Sequence, residues 1–396
     1  MLKNSSKVSQ QMRERLKELV NGENRVFGLD LLRFFAIMLV VFGHSRWMTE
    51  SFPRPLHILF HGSGILGVEL FFVLSGFLIG GILLKNFEKN GNSLNPDEIK
   101  QFWIRRWFRT LPNYFLILGV YLAVYWEGRP EHLWRYLIFV QNFFNYPPYF
   151  FEESWSLAIE ELSYLLSPLV LAISAWILSR IGKSKPVLFF QVSLALIVFI
   201  TALRYYYCSA VLPGLRSLPN YSWQYMLREV ATIRLDSIYY GFVAVYLSRY
   251  FSKAWDSYKW LYFLIGFVGI LLLMKFSPQL MDENPTPLVS TLYFSFLSYF
   301  IALLLPLLAS FKQIKWRLIS IPVTWISIIS YSMYLINGGL LSWKFSAWFH
   351  EGKDWSGPLE AGFYYAAYWA LCILISTLIY VFFEKPCTLL RERLSK

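Results

Sequence analysis

Residues 28–44 read GLDLLRFFAIMLVVFGH, an apolar stretch that carries Arg33 and, eleven positions later, His44. At about 100° per residue this step ends within about 20° of three full turns, so both side chains lie on one helix face, roughly 16 Å apart. An arginine at membrane depth is costly unless it faces protein or water, and intramembrane ionisable residues are candidates for function by default. The stretch therefore predicts a membrane-spanning helix with a functional polar stripe.

The composition of the whole chain indicates a membrane protein. Of its 396 residues, 56% are hydrophobic, 19% aromatic and only 16% charged, which excludes an ordinary soluble domain. Crossing about 30 Å of hydrocarbon takes roughly 20 apolar residues. Such runs predict an all-α polytopic membrane protein with about ten transmembrane helices, near residues 29–47, 65–84, 111–127, 155–179, 187–207, 232–250, 258–275, 288–310, 319–343 and 360–383.

The distribution of Lys and Arg predicts the orientation, since short cytoplasmic loops hold the excess. The N-terminal tail and the loop after the second apolar run are rich in basic residues, whereas the loops after the first and third runs are poor in them. We therefore expect both termini in the cytoplasm, with tails at 1–27 and 387–396 and a transmembrane domain at 28–386. This topology explains most of the formal charge of +12, so nucleic acid is not an expected partner.

On this topology Arg33 lies toward the cytoplasm and His44 toward the outer face. Histidine has an unperturbed pKa of about 6.5, which suits a general base near neutral pH. A purely structural alternative is that Asp30, one turn before Arg33, pairs with it at the helix entrance, and that His44 is an interfacial histidine.

The segment FWIRRWFRTLPNYF, residues 102–115, places Arg106 and Arg109 on one helix face at the cytoplasmic side. Two neighbouring guanidinium groups suit bidentate recognition of phosphate. Anchoring by the positive-inside effect would explain them equally well. Arg33, a further arginine on the same side of the membrane, favours the phosphate interpretation.

A carboxylate pair, Glu160 and Glu161, lies in the segment ESWSLAIEELSYLLSP, residues 153–168, which starts the fourth apolar run from the outer side. Adjacent residues on a helix point about 100° apart, so one carboxylate can face the bundle interior. At the depth of His44 it would orient the imidazole, raise its basicity or hold a sugar hydroxyl. Favourable placement near a helix N-terminus is the simpler alternative.

These segments together resemble the acyltransferase-3 family of integral membrane acyltransferases. Arg33 and His44 match the family's first-helix motif, an arginine and a histidine with ten residues between them. One position departs from the family, because Asn337 stands where a histidine usually follows the segment SYSMYL. The other matching segments are ELFFVLSGFL (69–78), the R-x-x-R motif of Arg106 and Arg109 followed by Pro112 and Tyr114, WSLAIEELSY (155–164), RLDSIYYG (234–241), ISYSMYLI (329–336) and YVFFEKP (380–386).

The resemblance implies that 28–386 is a transmembrane acyltransferase domain in the bacterial cytoplasmic (inner) membrane. Its expected reaction moves an acyl group, usually acetyl, from cytoplasmic acetyl-CoA to a hydroxyl of a cell-surface or lipid-linked glycan on the outer side. His44 would be the general base, supported by Glu160 or Glu161, while Arg33 and the R-x-x-R arginines hold the donor. Candidates for further substrate contacts are Glu69, Ser75, Tyr114 and Asn337.

Several alternatives stay open at the level of sequence. Ser75 is either a nucleophile for an acyl-enzyme or a small residue for close helix packing. His57 and His61 are four residues apart but have no further ligand nearby, so no metal is expected. A transporter or flippase of a glycan or lipid-linked sugar would use similar intramembrane residues, although the two halves show no internal repeat. The acceptor glycan, the acyl chain and the oligomeric state are left open.

Overall fold

The computed structural model describes residues 25–49, 62–144, 150–180, 185–215, 223–280, 286–350 and 358–394. Within these ranges all regular secondary structure is helical, which confirms the all-α prediction. Ten long helices occur where the ten apolar runs predict them. They are α1 (Phe27–His44), α2 (Ser63–Lys89), α3 (Pro96–Val124), α4 (Ser154–Ser179), α5 (Val187–Tyr206), α6 (Asp236–Tyr250), α7 (Lys259–Leu280), α8 (Pro287–Ala302), α9 (Arg317–Ile336) and α10 (Pro358–Ile379).

Eight helical spans, which include all of these helices except α3 and α6, are long and apolar enough to cross a membrane, within the part of the chain that the structure describes; α8 qualifies together with its continuation to Ser310. The two that do not qualify are α3 and α6. The first carries a run of charged residues in its N-terminal half, and the second has only 15 residues. Nevertheless α3 runs the length of the bundle, because Thr110 bonds to Glu161 near one end and Tyr121 bonds to Glu153 at the other.

Helix α1 lies between α2 and α9, and its buried face includes Ala36, Ile37 and Val41, all with 0% exposure. Its neighbour α2 is antiparallel, since Gly43 at the end of α1 approaches Gly64 at the start of α2. Helix α9 is parallel to α1, with Asp30 bonded to Ser327 at one end and His44 contacting Asn337 at the other. We refer to these as the Arg33 end and the His44 end.

Helices α2 and α6 pack in direct backbone contact at Gly76 and Gly241. A methyl group on either glycine would collide with backbone of the other helix, at the carbonyl oxygen of Ile238 or of Val73. Small residues allow this kind of approach between membrane helices. The serine and glycine of the LSGF segment therefore have different roles, because Gly76 packs against α6 while Ser75 lines a cavity.

Helix α9 ends in a π-helical turn, Asn337–Ser342, which is followed by a short helix, Trp343–His350. Turns of this kind free backbone groups from the regular ladder and often occur at functional sites. Here the turn lies against the end of α1, because the Ser342 hydroxyl donates to the His44 carbonyl at 2.7 Å. The backbone N–H of Gly339 thereby becomes available to a side chain of another helix.

Candidate functional site

A cavity of about 110 Å³ lies among α1, α2, α3, α4 and α9. It is lined by five of the residues that the sequence singles out, namely Arg33, Ser75, Arg106, Arg109 and Glu160. These residues come from four separate helices. The fold therefore assembles three guanidinium groups and one carboxylate around a single space at the Arg33 end.

Arg33 forms the pair with Asp30 that the purely structural alternative predicts, and it also lines the cavity. Its Nη1 donates to Asp30 Oδ1 at 3.1 Å and to Ser327 Oγ at 3.1 Å. Asp30 also accepts from Arg25 at 2.7 Å, so this carboxylate is shared between two arginines. The Asp30–Arg33 pair exists, yet Arg33 still lines the cavity, so pairing and ligand contact are compatible.

Arg106 is half-buried and Arg109 is exposed. Neither guanidinium group has a hydrogen-bond or ion-pair partner among the residues that the structure describes. Two unpaired arginines beside Arg33 make this end of the cavity strongly positive. A phosphorylated ligand would supply the missing acceptors.

Glu160 faces the same cavity and is hydrogen-bonded within it. Its oxygens accept from the Ser75 hydroxyl at 2.9 Å and from the Tyr164 hydroxyl at 2.7 Å. Glu161 points toward α3 and accepts from Thr110 at 2.7 Å. Both carboxylates thus lie on the Arg33 side, and the expectation that one of them orients His44 is corrected. The reason is the rise along α4, which places Glu160 roughly 9 Å along the helix axis from the start of that helix at Ser154.

His44 is half-buried, and its Nδ1 lies 2.6 Å from the side-chain oxygen of Asn337. The Asn337 amide nitrogen donates to the carbonyls of Met333 at 2.9 Å and Tyr334 at 2.8 Å. This network assigns the amide oxygen to the histidine side, where an oxygen can only accept. Nδ1 of the neutral imidazole is therefore the protonated nitrogen, and Nε2 is left as the basic one.

The carboxylate beside His44 is Glu153, which sequence reasoning did not single out. It is buried, and it accepts from the Gly339 N–H at 2.6 Å and from the Tyr121 hydroxyl at 2.8 Å. A methyl group on Gly338 would collide with Glu153 Oε1 and would lie 3.0 Å from His44 Nδ1. The carboxylate and the imidazole therefore meet at this glycine. The one sequence feature that could have pointed to Glu153 is its position just before the WSL segment at the start of α4.

The cavity extends toward Asn337, the partner of His44. Ser156 and Tyr334 line the cavity, and their hydroxyl oxygens are 2.5 Å apart. Tyr334 is also one turn below Asn337, to which its carbonyl is bonded. We refer to His44, Glu153 and Asn337 as the His44 cluster. This cluster follows the arginine-lined cavity along α1 and α9, about one helical turn further on.

Two candidates for substrate contact, Glu69 and Tyr114, lie elsewhere. Glu69 is fully buried, paired with Arg234, and accepts from the Ser237 hydroxyl at 2.9 Å. Tyr114 is fully buried and donates to the Tyr136 carbonyl at 2.9 Å. Neither lines the cavity. The histidine pair at 57 and 61 lies outside the described residues.

Comparison with known proteins agrees with this geometry. Residues 26–380 match the acyltransferase domain of the acyltransferase-3 family. The chain is 32% identical over 179 residues to "Putative peptidoglycan O-acetyltransferase YrhL" of Bacillus subtilis, covering 41% of this chain and 26% of that protein. It is 33% identical over 163 residues to "Peptidoglycan O-acetyltransferase OatA" of Listeria monocytogenes, covering 37% and 24%.

The chain spans about a quarter of the length of these relatives. No solved structure matches it. The family match covers α1 to α10, including both the cavity and the His44 cluster. The chain therefore belongs to the acyltransferase-3 family of membrane acyltransferases.

Proposed function

We propose that this protein is a membrane O-acetyltransferase that moves an acetyl group from acetyl-CoA to a hydroxyl of a glycan. The observation that carries the proposal is the placement of an arginine-lined cavity and a histidine cluster in succession along α1. A transfer reaction needs both a donor site and a base. The names of the relatives support a glycan acceptor, and membership of an acyltransferase family favours an enzyme over a transporter.

The donor would bind at the Arg33 end, which the positive-inside pattern assigns to the cytoplasm. Arg106 and Arg109 have no partner among the described residues and would hold the phosphates of coenzyme A, with Arg33 deeper in the cavity. The pantetheine arm would then extend along α1 past Ser75 and Glu160, whose hydroxyl and carboxylate suit its amide groups. Opening the Ser156–Tyr334 contact would bring the thioester to His44.

The acceptor hydroxyl would reach His44 from the opposite face. Nε2 takes the hydroxyl proton as the oxygen attacks the thioester carbonyl, and the proton then passes to the departing coenzyme A thiolate. Glu153 would stabilise the imidazolium that forms in between, and Asn337 would hold the ring in the required tautomer. Direct transfer fits better than an acyl-enzyme, because the Ser75 hydroxyl faces Glu160 in the cavity rather than His44.

The test is an acetyl transfer assay with purified protein in proteoliposomes, using acetyl-CoA and peptidoglycan or another cell-surface glycan. His44→Gln should lower kcat by about 10²-fold to 10⁴-fold, the range for loss of a general base. The matched control is His132→Gln, since His132 is exposed and lies outside the cavity lining. Transfer by His44→Gln at the rate of wild type would remove His44 from the mechanism.

Donor binding is tested in the same assay with Arg109→Gln. The KM for acetyl-CoA should rise about tenfold or more, because a charge-assisted phosphate contact is lost. Arg105→Gln is the control, since Arg105 is exposed and does not line the cavity. Equal KM values for the two variants would argue against a phosphate site at Arg109.

A further inference from the structure

Arg228 is a charged side chain at the His44 end that the proposed reaction has not used. It ends a short helix, Trp223–Arg228, and its guanidinium carbon lies 4.7 Å over the ring of Trp155. The side chain is half-buried, and its Nε is buried without a hydrogen-bond partner among the described residues. No ion pair to Arg228 occurs in the same part of the chain.

The two fully buried arginines of the bundle have carboxylate partners. Arg204 pairs with Asp236 at 2.8 Å, and Arg234 pairs with Glu69. Arg228 is followed by Glu229, but burial raises the pKa of that carboxyl to about 8, so it is mostly protonated at neutral pH. The buried Nε of Arg228 therefore lacks an acceptor among the described residues, and an anionic group at this position would supply one.

Arg228 lies at the end of the bundle where the proposed acyl transfer takes place. Its guanidinium lies over Trp155, two residues after Glu153, whose carboxylate meets His44 at Gly338. Trp155 also immediately precedes Ser156, whose hydroxyl contacts that of Tyr334 at the cavity wall. Arg228 itself does not line the cavity. It belongs to the His44 end, where the acyl end of a donor would meet His44.

We propose that Arg228 is a catalytic residue that binds the oxyanion formed during acyl transfer, an inference that rests on the proposed function. When the acceptor oxygen bonds to the thioester carbon, the carbonyl electron pair moves to the carbonyl oxygen. The guanidinium N–H groups stabilise that negative charge. The pair then returns to re-form the carbonyl as the carbon–sulfur bond breaks, and the thiolate takes the proton held by His44.

The experiment compares glycan acetylation with the slower hydrolysis of acetyl-CoA in the absence of glycan. Both reactions pass through the same oxyanion, with water replacing the glycan hydroxyl in the second. Arg228→Gln should lower kcat for both by about 10²-fold to 10³-fold, the usual cost of losing one oxyanion donor. Arg228→Lys should retain more activity than Arg228→Gln, because it keeps the charge.

The matched control is Arg129→Gln. Arg129 also stacks on a tryptophan, 4.2 Å over Trp126, but belongs to an exposed segment. Its loss should leave both rates within about twofold of wild type. Thermal unfolding in detergent should show Arg228→Gln folded, since the substitution removes no hydrogen bond that the described residues make.

The outcomes separate oxyanion binding from the alternatives. A loss confined to the KM for the glycan, with hydrolysis unchanged, would make Arg228 a binding residue for an anionic acceptor group and overturn the proposal. Unchanged kcat in both reactions would overturn it as well. Wild type that neither transfers nor hydrolyses would instead contradict the O-acetyltransferase function itself, which is a different result.

Discussion

Asn337 determines, at the scale of single residues, which nitrogen of His44 carries a proton. A histidine in its place could either donate or accept, whereas the bonds from the Asn337 amide to the carbonyls of Met333 and Tyr334 leave only an acceptor for His44. The departure from the family pattern is therefore consistent with a base at Nε2. Glu153 adds the negative charge that an imidazolium needs nearby.

The protonation of a single residue, Glu229, predicts how the stability of the protein depends on pH. Its pKa is raised from 4.5 to about 8, chiefly by burial, with the Glu152 carboxyl acting in the same direction and Arg228 opposing it. Between pH 4.5 and about pH 8, Glu229 holds a proton in the folded protein that it releases in the unfolded chain. The free energy of unfolding should therefore fall as the pH rises to about 8 and then level off. Glu229→Gln should remove this dependence and raise the unfolding temperature at pH 8.

The measurement is thermal unfolding in detergent from pH 5 to pH 8.5. Glu152, whose pKa burial raises to about 7, contributes a dependence of the same sign, so the Gln variant should keep a smaller slope. Glu127→Gln is the control, because Glu127 is exposed. Identical pH profiles for wild type and Glu229→Gln would contradict the assigned protonation state.

At the scale of elements, the π-helical turn Asn337–Ser342 joins the residues of the His44 cluster. It carries Asn337 to the imidazole and the Gly339 N–H to Glu153, and the Tyr125 hydroxyl donates to the Gly339 carbonyl at 2.7 Å. A regular α-helix would keep that N–H in its own ladder. The turn thus couples α1, α3, α4 and α9 at one point.

Gly338→Ala should damage this coupling. The added methyl group would collide with Glu153 Oε1, and displacement of a catalytic group by about 1 Å costs on the order of 10²-fold in rate. We expect kcat for acetyl transfer to fall by that order while the protein still folds. Gly119→Ala is the control, because a methyl group there, on the exposed face of α3, meets nothing within 4 Å. Equal activity of the two variants would show that the turn tolerates a side chain.

At the scale of the whole molecule, the two ends of the bundle differ in chemistry. The Arg33 end holds the cavity with its three arginines, and the His44 end holds the Glu153, Asn337 and Arg228 groups. Such a division suits a donor and an acceptor that approach from opposite faces of a membrane. Helix α3 matters here, because it reaches both ends despite the charged residues in its N-terminal half.

Cysteine labelling tests the orientation of these ends. In a variant whose native cysteines are replaced, a Glu127→Cys site near the His44 end should react with a membrane-impermeant thiol reagent in intact cells. A Lys315→Cys site, near the Arg33 end, should react only after the membrane is permeabilised. Both positions are exposed, so accessibility of the side chain is matched. The opposite pattern of reaction would invert the topology and the proposed route of the donor.

The fold was largely predictable from local signals, because apolar length identifies all of the long helices in the described residues except α3 and α6. Apolar length is a weaker signal for these two helices. Helix α3 begins at Pro96, well before its apolar part, and the 15-residue α6 is shorter than a typical span. Their place in the bundle depends on partners, namely Glu153 and Glu161 for α3 and the glycine contact with α2 for α6.

Composition and the regular turn of one helix were sufficient to predict the helical membrane fold and the Arg33–His44 stripe. The packing of separate helices was needed to show that Glu153, rather than Glu160 or Glu161, lies beside His44. That choice depends on contact between residues 186 positions apart, Glu153 and Gly339, at a turn with no simple periodic pattern. Spacing within one helix is a local property, whereas the neighbour of a side chain is set by how separate helices pack.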